Sequence, residues 1–141
     1  MDKHSKEVRS YNMSQIHAAN TKPEMLVRSY LFARGLRYRK NVKNLPGKPD
    51  IVLKKYKTVV FVNGCFWHGH QGCKYFVMPK SNTEYWNAKI SHNIEHDKAV
   101  NAELENLGWN VITVWECELK KDKRENTLEY LYYNILRNIK E

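Results

Sequence analysis

The sequence has few cysteines, few glycines and prolines, few carboxylates for its size and no long apolar run. Each scarcity removes a class of protein. Three cysteines in 141 residues cannot build the paired framework of a small secreted domain, and no apolar stretch of the signal type stands at the N-terminus, so the thiols are expected to be metal-bound in a cytoplasmic protein. No apolar run approaches the roughly 20 residues that cross a bilayer, and no membrane role is expected. Six glycines and four prolines leave no linker or low-complexity tract, and no internal repeat is visible. The expected organisation is a polar, basic arm over 1–20 followed by a single domain over 21–141, long enough to bury a core of its own. Against 15 Asp and Glu stand 24 Lys and Arg, a formal net charge of +9. That excess attracts a polyanion, and nine Tyr and four Trp add faces on which bases stack, so nucleic acid is the expected partner.

What is present is concentrated in Thr58 to Cys73, TVVFVNGCFWHGHQGC. Val59 to Val62 form a continuous apolar run, the pattern of a strand buried on both faces. The run breaks at Asn63-Gly64 into a loop rich in reactive side chains. Cys65, His70 and Cys73 stand in the spacing C-x4-H-x2-C, and Cys117 follows a second apolar run, Asn110 to Trp115. Together they make a tetrahedral Cys3His set suited to a structural zinc ion, a local clamp for a domain that has its own core. His68 lies inside the same loop with no ligand role. Its neighbours Phe66 and Trp67 are adjacent large aromatics, of which only one can readily face a core.

Ile51-Val52-Leu53 and Thr58 to Val62, separated by a polar turn, predict a hairpin. The hairpin places Asp50, at the start of one strand, beside Asn63 at the end of the next. Helices are predicted from Thr21 to about Ala33, from Glu84 to about Leu107 and from Thr127 to about Ile139. In the first, T-K-P-E fits a capping box, which accounts for Glu24 as a cap and leaves Met25, Leu26, Tyr30 and Leu31 as the apolar side. In the second, Trp86, Ile90, Ile94, Leu104 and Leu107 mark the stripe, and Asp97 falls where an apolar residue is expected. A carboxylate there is either an ion-pair partner or part of a site. His92 and His96 lie four apart, a spacing open to metal, but no third ligand accompanies them and they read as solvated. The last helix carries Leu128, Leu131, Tyr132, Ile135 and Ile139 as core.

This order of elements, with Pro49-Asp50 opening a strand, resembles the PD-(D/E)XK nuclease core, an α/β fold whose central mixed sheet presents carboxylates to magnesium at a DNA phosphodiester. The next strand lacks the Glu-x-Lys of that pattern, so another base must serve, and His68 is placed for it. A closer resemblance is carried by L-P-G-K-P-D (Leu45 to Asp50), F-V-N-G-C-F-W-H-G-H (Phe61 to His70), T-E-Y-W (Thr83 to Trp86), N-I-E-H-D (Asn93 to Asp97), L-G-W-N-V (Leu107 to Val111) and V-W-E-C (Val114 to Cys117). These segments, in this order, are similar to the very short patch repair endonucleases, which nick DNA at T:G mismatches. The resemblance implies magnesium on Asp50 and the main-chain carbonyl of Val62, His68 as base, Glu24 and Asp97 as nearby acids, and Phe66, Trp67 and Trp86 as rings that enter the base stack. It implies the same zinc set, and double-stranded DNA with a T:G mismatch as substrate. A monomer is expected, with mismatch-repair proteins or a methyltransferase as conceivable associates. Two departures stand out. Val62-Asn63 replaces Thr-His, and Asn63 can bond a phosphate oxygen but carries neither charge nor an exchangeable proton for catalysis. One additional residue separates His70 from Cys73. A restriction-type enzyme cutting both strands, or a zinc-stabilised DNA-binding module that cuts nothing, fits the same charge and ligands.

Overall fold

In the computed structural model, which describes residues 21–40 and 42–138, four strands form one mixed sheet in the order β1-β2-β3-β4. They are β1 (Arg39–Lys40), β2 (Ile51–Leu53), β3 (Thr58–Asn63) and β4 (Asn110–Trp115), with helices α1 (Lys22–Ala33), α2 (Thr83–Asn106) and α3 (Arg124–Leu136). The proposed arm, 1–20, and Ile139 lie outside the described residues. β2 and β3 pair antiparallel with Ile51 opposite Val60 and Leu53 opposite Thr58. β3 and β4 run parallel, from Thr58 opposite Asn110 to Asn63 opposite Trp115. A parallel pair cannot be joined by a tight turn, and α2 lies in the long connection between them.

The alternation of side chains along the strands divides the core in two. Ile51, Leu53, Val60 and Val62 face one side of the sheet and pack with Val27 and Leu31 of α1 and Leu128, Leu131 and Ile135 of α3. Val52 and Val59 face the other side and pack with Val100 and Leu104 of α2. The sheet is thus covered on both faces, as the continuous apolar run of β3 requires.

Three expectations are corrected. The buried face of α1 is Glu24, Val27, Arg28 and Leu31, and Met25 is 54% exposed. The helix is rotated from the expected stripe because two of its inward residues are charged. Leu107, at the end of α2, is also 54% exposed, since the chain leaves the helix there and Trp109 packs on the sheet instead. α3 starts at Arg124, three residues before the expected Thr127, and the Arg124 Nε donates to the Leu119 carbonyl at 3.0 Å. β1 has no counterpart in the sequence reading, because two exposed basic residues carry no strand pattern.

Candidate active site and metal centre

The functional side chains gather at one end of the sheet, outside the carboxyl ends of β3 and β4, where open α/β sheets commonly bind ligands. Parallel pairing brings Asn63 level with Trp115, so the segments that follow, bearing Cys65 and Cys117, emerge side by side. Among the described residues, Cys65, His70, Cys73 and Cys117 form a group whose ligand atoms all lie within 4.8 Å of one another. Zinc with S and N ligands at about 2.1–2.3 Å has ligand-to-ligand edges near 3.6–3.8 Å, and Cys117 Sγ stands 3.5 Å from His70 Nδ1. The donor set and its spacing therefore fit a closed tetrahedral site. The main-chain amide of Cys117 donates to Cys65 Sγ at 3.3 Å, and that of Tyr75 to Cys73 Sγ at 3.4 Å. Such bonds favour thiolates. Against them, burial pushes the Cys65 thiol up to about 12, so a cation is what would keep this sulfur ionised at neutral pH. Trp115 lies flat on the His70 ring, centroids 4.0 Å apart and planes 4° from parallel. It holds the imidazole's orientation, a role that nothing in the sequence spacing announced.

Beside this cluster is a cavity of about 500 Å³, lined among others by Glu24, Asp50, Asn63, His68, Asp97 and Glu116. The hairpin register places Asp50 one residue beyond the Ile51–Val60 pair, and the Val62 amide donates to its Oδ2 at 2.7 Å. Burial raises the Asp50 carboxyl to about 7. The charge of Glu24 and a hydrogen bond that the protonated Asp50 donates to it push the same way, and the Val62 amide and Arg28 oppose them. Glu24 is more than a cap. The Thr21 hydroxyl does accept the Glu24 amide at 3.4 Å, while the carboxylate, only 4% exposed, bonds Arg28 Nη2 at 2.7 Å. A buried and a half-buried carboxyl beside one buried guanidinium form an arrangement that a divalent cation stabilises. Magnesium characteristically takes one or two carboxylates and fills its remaining positions with water and phosphate.

His68 and Asp97 come from the loop after β3 and from α2, and His68 Nδ1 is 2.7 Å from Asp97 Oδ2. The inward carboxylate of α2 therefore has its partner. The loop is held to the helix at two further points. Asn93 Nδ2 donates to the Trp67 carbonyl at 2.8 Å, and Gly69, at φ +60°, sits so close that an added Cβ would lie 2.6 Å from Ile94 Cδ1. A side chain at 69, next to His68, would have to displace Ile90 and Ile94 or shift the loop. Asn63 is 9% exposed and borders the cavity. His92 and His96 are both exposed, with rings 6.3 Å apart, and His96 reaches the cavity wall. Glu116 also lines the cavity, although the sequence reading passed it over as the residue between Trp115 and Cys117.

Phe66, Trp67 and Trp86 converge at the rim. Their ring centroids are 5.5 Å apart for Phe66–Trp67, 5.3 Å for Phe66–Trp86 and 5.7 Å for Trp67–Trp86, all edge-to-face. All three are half-buried and stand outside both core clusters. Trp86 packs on this aromatic group, and Tyr85 beside it is 60% exposed.

A mixed sheet that presents a buried Asp and a His–Asp pair at one end, next to a Cys3His cluster, has the architecture of a nuclease. The comparisons with known proteins make the class specific. Residues 1–74 match the family model for the DNA mismatch endonuclease Vsr. The chain is 59% identical over 112 residues to the type II nicking enzyme V.NmeAIP of Neisseria meningitidis serogroup A, covering 79% of each chain. It is 48% identical over 118 residues to the type II nicking enzyme V.XorIIP of Xanthomonas oryzae pv. oryzae, covering 84% of this chain and 86% of the relative. To the DNA mismatch endonuclease Vsr of Escherichia coli K12 it is 43% identical over 119 residues, 84% of this chain and 76% of that one. The chain belongs to the Vsr endonuclease family and is a DNA endonuclease.

Proposed function

We propose that the protein nicks one strand of duplex DNA at a T:G mismatch, acting as a cytoplasmic monomer with structural zinc and catalytic magnesium. The observation that carries the reading is the 2.7 Å His68–Asp97 contact in the same cavity as Asp50. With Nδ1–H directed at Asp97, the neutral imidazole keeps its lone pair on Nε2, which is the arrangement of a general base. Asp97 fixes the tautomer and steadies the cation that forms on proton transfer. His68 Nε2 takes the proton of a water whose oxygen attacks phosphorus, the opposite P–O ester bond breaks, and the leaving oxygen is protonated from solvent. Asp50 and the Val62 carbonyl, with Glu24 beside them, would hold magnesium, which would supply Lewis-acid polarisation of the phosphate. Asn63 donates a hydrogen bond to a phosphate oxygen.

The mismatch preference draws on the E. coli relative, 43% identical and itself a mismatch endonuclease by name, and on the aromatic rim. Phe66, Trp67 and Trp86 act as a wedge. Unstacking a base step costs a few kcal/mol and least at a weakened pair, so a wedge selects mismatches without reading every base edge. The basic arm and surface supply the salt-dependent part of affinity.

The direct test incubates the protein with magnesium and duplexes that differ only in T:G or T:A at one position. Nicks confined to the T:G duplex are expected. Double-strand cuts at an intact site would establish the restriction-type reading, and no cleavage would leave a DNA-binding module. The wedge has its own test. Phe66→Ala, Trp67→Ala and Trp86→Ala are each expected to reduce the T:G over T:A affinity ratio by about 5–30-fold, the worth of roughly 1–2 kcal/mol of stacking. General duplex binding at the same salt should change less. An equal loss on both duplexes would show the rings to be ordinary contact surface.

A further inference from the structure

We propose that Lys48 is a catalytic residue of this nuclease, its ammonium bonding a non-bridging oxygen of the phosphate that is cut. The proposal rests on the site reading above and adds to its metal a positively charged side chain at the phosphate, which that reading lacks. Four carboxylates, those of Glu24, Asp50, Asp97 and Glu116, line the cavity, and among the described residues Lys48 is the one Lys or Arg that lines it. A DNA phosphate entering so acidic a site gains further negative charge as water adds to it. A cation placed there acts more strongly on the transition state than on the bound substrate. β3, which would carry the lysine of the PD-(D/E)XK pattern, offers Phe61-Val62-Asn63 instead.

The backbone is the second, independent observation. Leu45 to Lys48 form a turn closed by the Lys48 amide on the Leu45 carbonyl at 3.2 Å, with Pro46 second and Gly47, at φ +72°, third. Those are the residues such a turn demands. Lys48 comes next and also has positive φ, +49°, in a region that L side chains avoid and immediately before Pro49, which disfavours helical conformations in its predecessor. Glycine or asparagine would suit the position better. A side chain that its own backbone disfavours, at the edge of a catalytic cavity, points to a use for that side chain. Lys57 shows the contrast. It too has positive φ, +50°, but its ammonium stacks over Trp109 at 4.3 Å. Among the described residues no ion pair or cation–π contact engages Lys48. The turn is also held firmly. A Cβ at Gly47 would overlap the γ-methyls of Val100, so the segment sits flush on α2 one turn beyond Asp97, and Lys48 and the His68–Asp97 pair share one frame.

The test uses Lys48→Gly, Lys48→Asn and Lys48→Arg in the full-length, zinc-loaded protein. Single-turnover nicking is measured at saturating enzyme and magnesium, and duplex affinity with calcium replacing magnesium. The Gly and Asn variants are expected to melt no lower than the parent, because both residues accept positive φ. Their nicking rate should fall about 10–100-fold while Kd changes less than about threefold, and Arg should restore most of the rate. A rate within about twofold of the parent in both variants would overturn the proposal, as would a defect wholly accounted for by weaker binding. Rates are read on whichever duplex the parent cuts faster. A parent that nicks T:G and T:A alike thus sinks the mismatch reading without touching the test of Lys48.

Discussion

Asp50→Asn is expected to cut the nicking rate by at least about 10³-fold and, in magnesium-free buffer above pH 7, to raise the melting temperature. The first effect follows from the proposed role, because an amide is a poor magnesium ligand and metal polarisation of the phosphate is lost with it. The second follows from the cost of ionising this carboxyl. Its folded-state value is raised from 3.8 to about 7, mainly by burial and then by Glu24. A carboxyl shifted upward contributes its full stability below its unfolded value, and that contribution is lost as pH rises through the folded value, by up to about 1.4 kcal/mol per pH unit. Above pH 7 the ionised Asp50 therefore costs the metal-free fold something on the order of 2–4 kcal/mol. Asparagine avoids that cost and can still accept the Val62 amide and donate to Glu24. The gain corresponds to roughly 5–10 °C in Tm for a domain of this size. Magnesium should narrow or reverse the order, because it binds and stabilises only the parent strongly. Thermal melts of both proteins at pH 5 and pH 8, with and without magnesium, decide the matter. A parent whose stability does not fall between those pH values would show that Asp50 ionises freely. His68→Ala makes the companion measurement. It should lose about 10²–10⁴-fold in rate, and an unchanged rate would place the base elsewhere.

The parts of this site that were legible in the sequence are those whose chemistry allows few other uses. Two cysteines and a histidine at short spacing, with a third cysteine after a second apolar run, have few other roles in a chain without disulfides, and β3 was marked by an apolar run that a doubly covered strand explains. The hairpin carried Asp50 to the end of β3, where it accepts the Val62 amide and shares the cavity with Asn63. Glu24 was harder, since a carboxylate three residues after a capping threonine satisfies a cap and a buried site equally well. Only the contact with Arg28, four residues on, separates the two. That pair also misled the reading of α1, because helical periodicity counts Glu and Arg as outward-facing and so turned the apolar stripe toward Met25. Trp115, Glu116 and Lys48 left no periodic trace. They are marked only in the folded chain, by a ring laid on His70, a carboxylate at the cavity wall and a backbone angle.

Loss of zinc is expected to unfold the catalytic loop before the sheet. The four proposed ligands join the segment after β3 to the segment after β4, and His68 lies between two of them, so a bound metal would span the loop that carries His68. The hairpin and the two core clusters do not need it. They pack through Val59, Val60, Leu104 and Ile135, all buried away from the cluster. Cys117→Ala should therefore lower zinc content from about one per chain to well below it and reduce Tm by on the order of 10 °C, the equivalent of a few kcal/mol in a domain of this size. Nicking should be lost even at temperatures where the sheet persists, since His68 no longer meets Asp97. Hydrogen exchange gives the spatial readout. Amides from 64 to 76, several of which bond within the loop, such as His70 to the Cys65 carbonyl at 2.9 Å, should lose protection while those of β3 keep it. Zinc retention should also weaken in acid, because binding requires thiolates and the buried Cys65 holds its proton up to about pH 12 without a cation, so each step down in pH makes its displacement harder. A zinc-free protein with full Tm and a protected loop would mean that the cluster closes by hydrogen bonding alone, and that its four side chains do not need a metal.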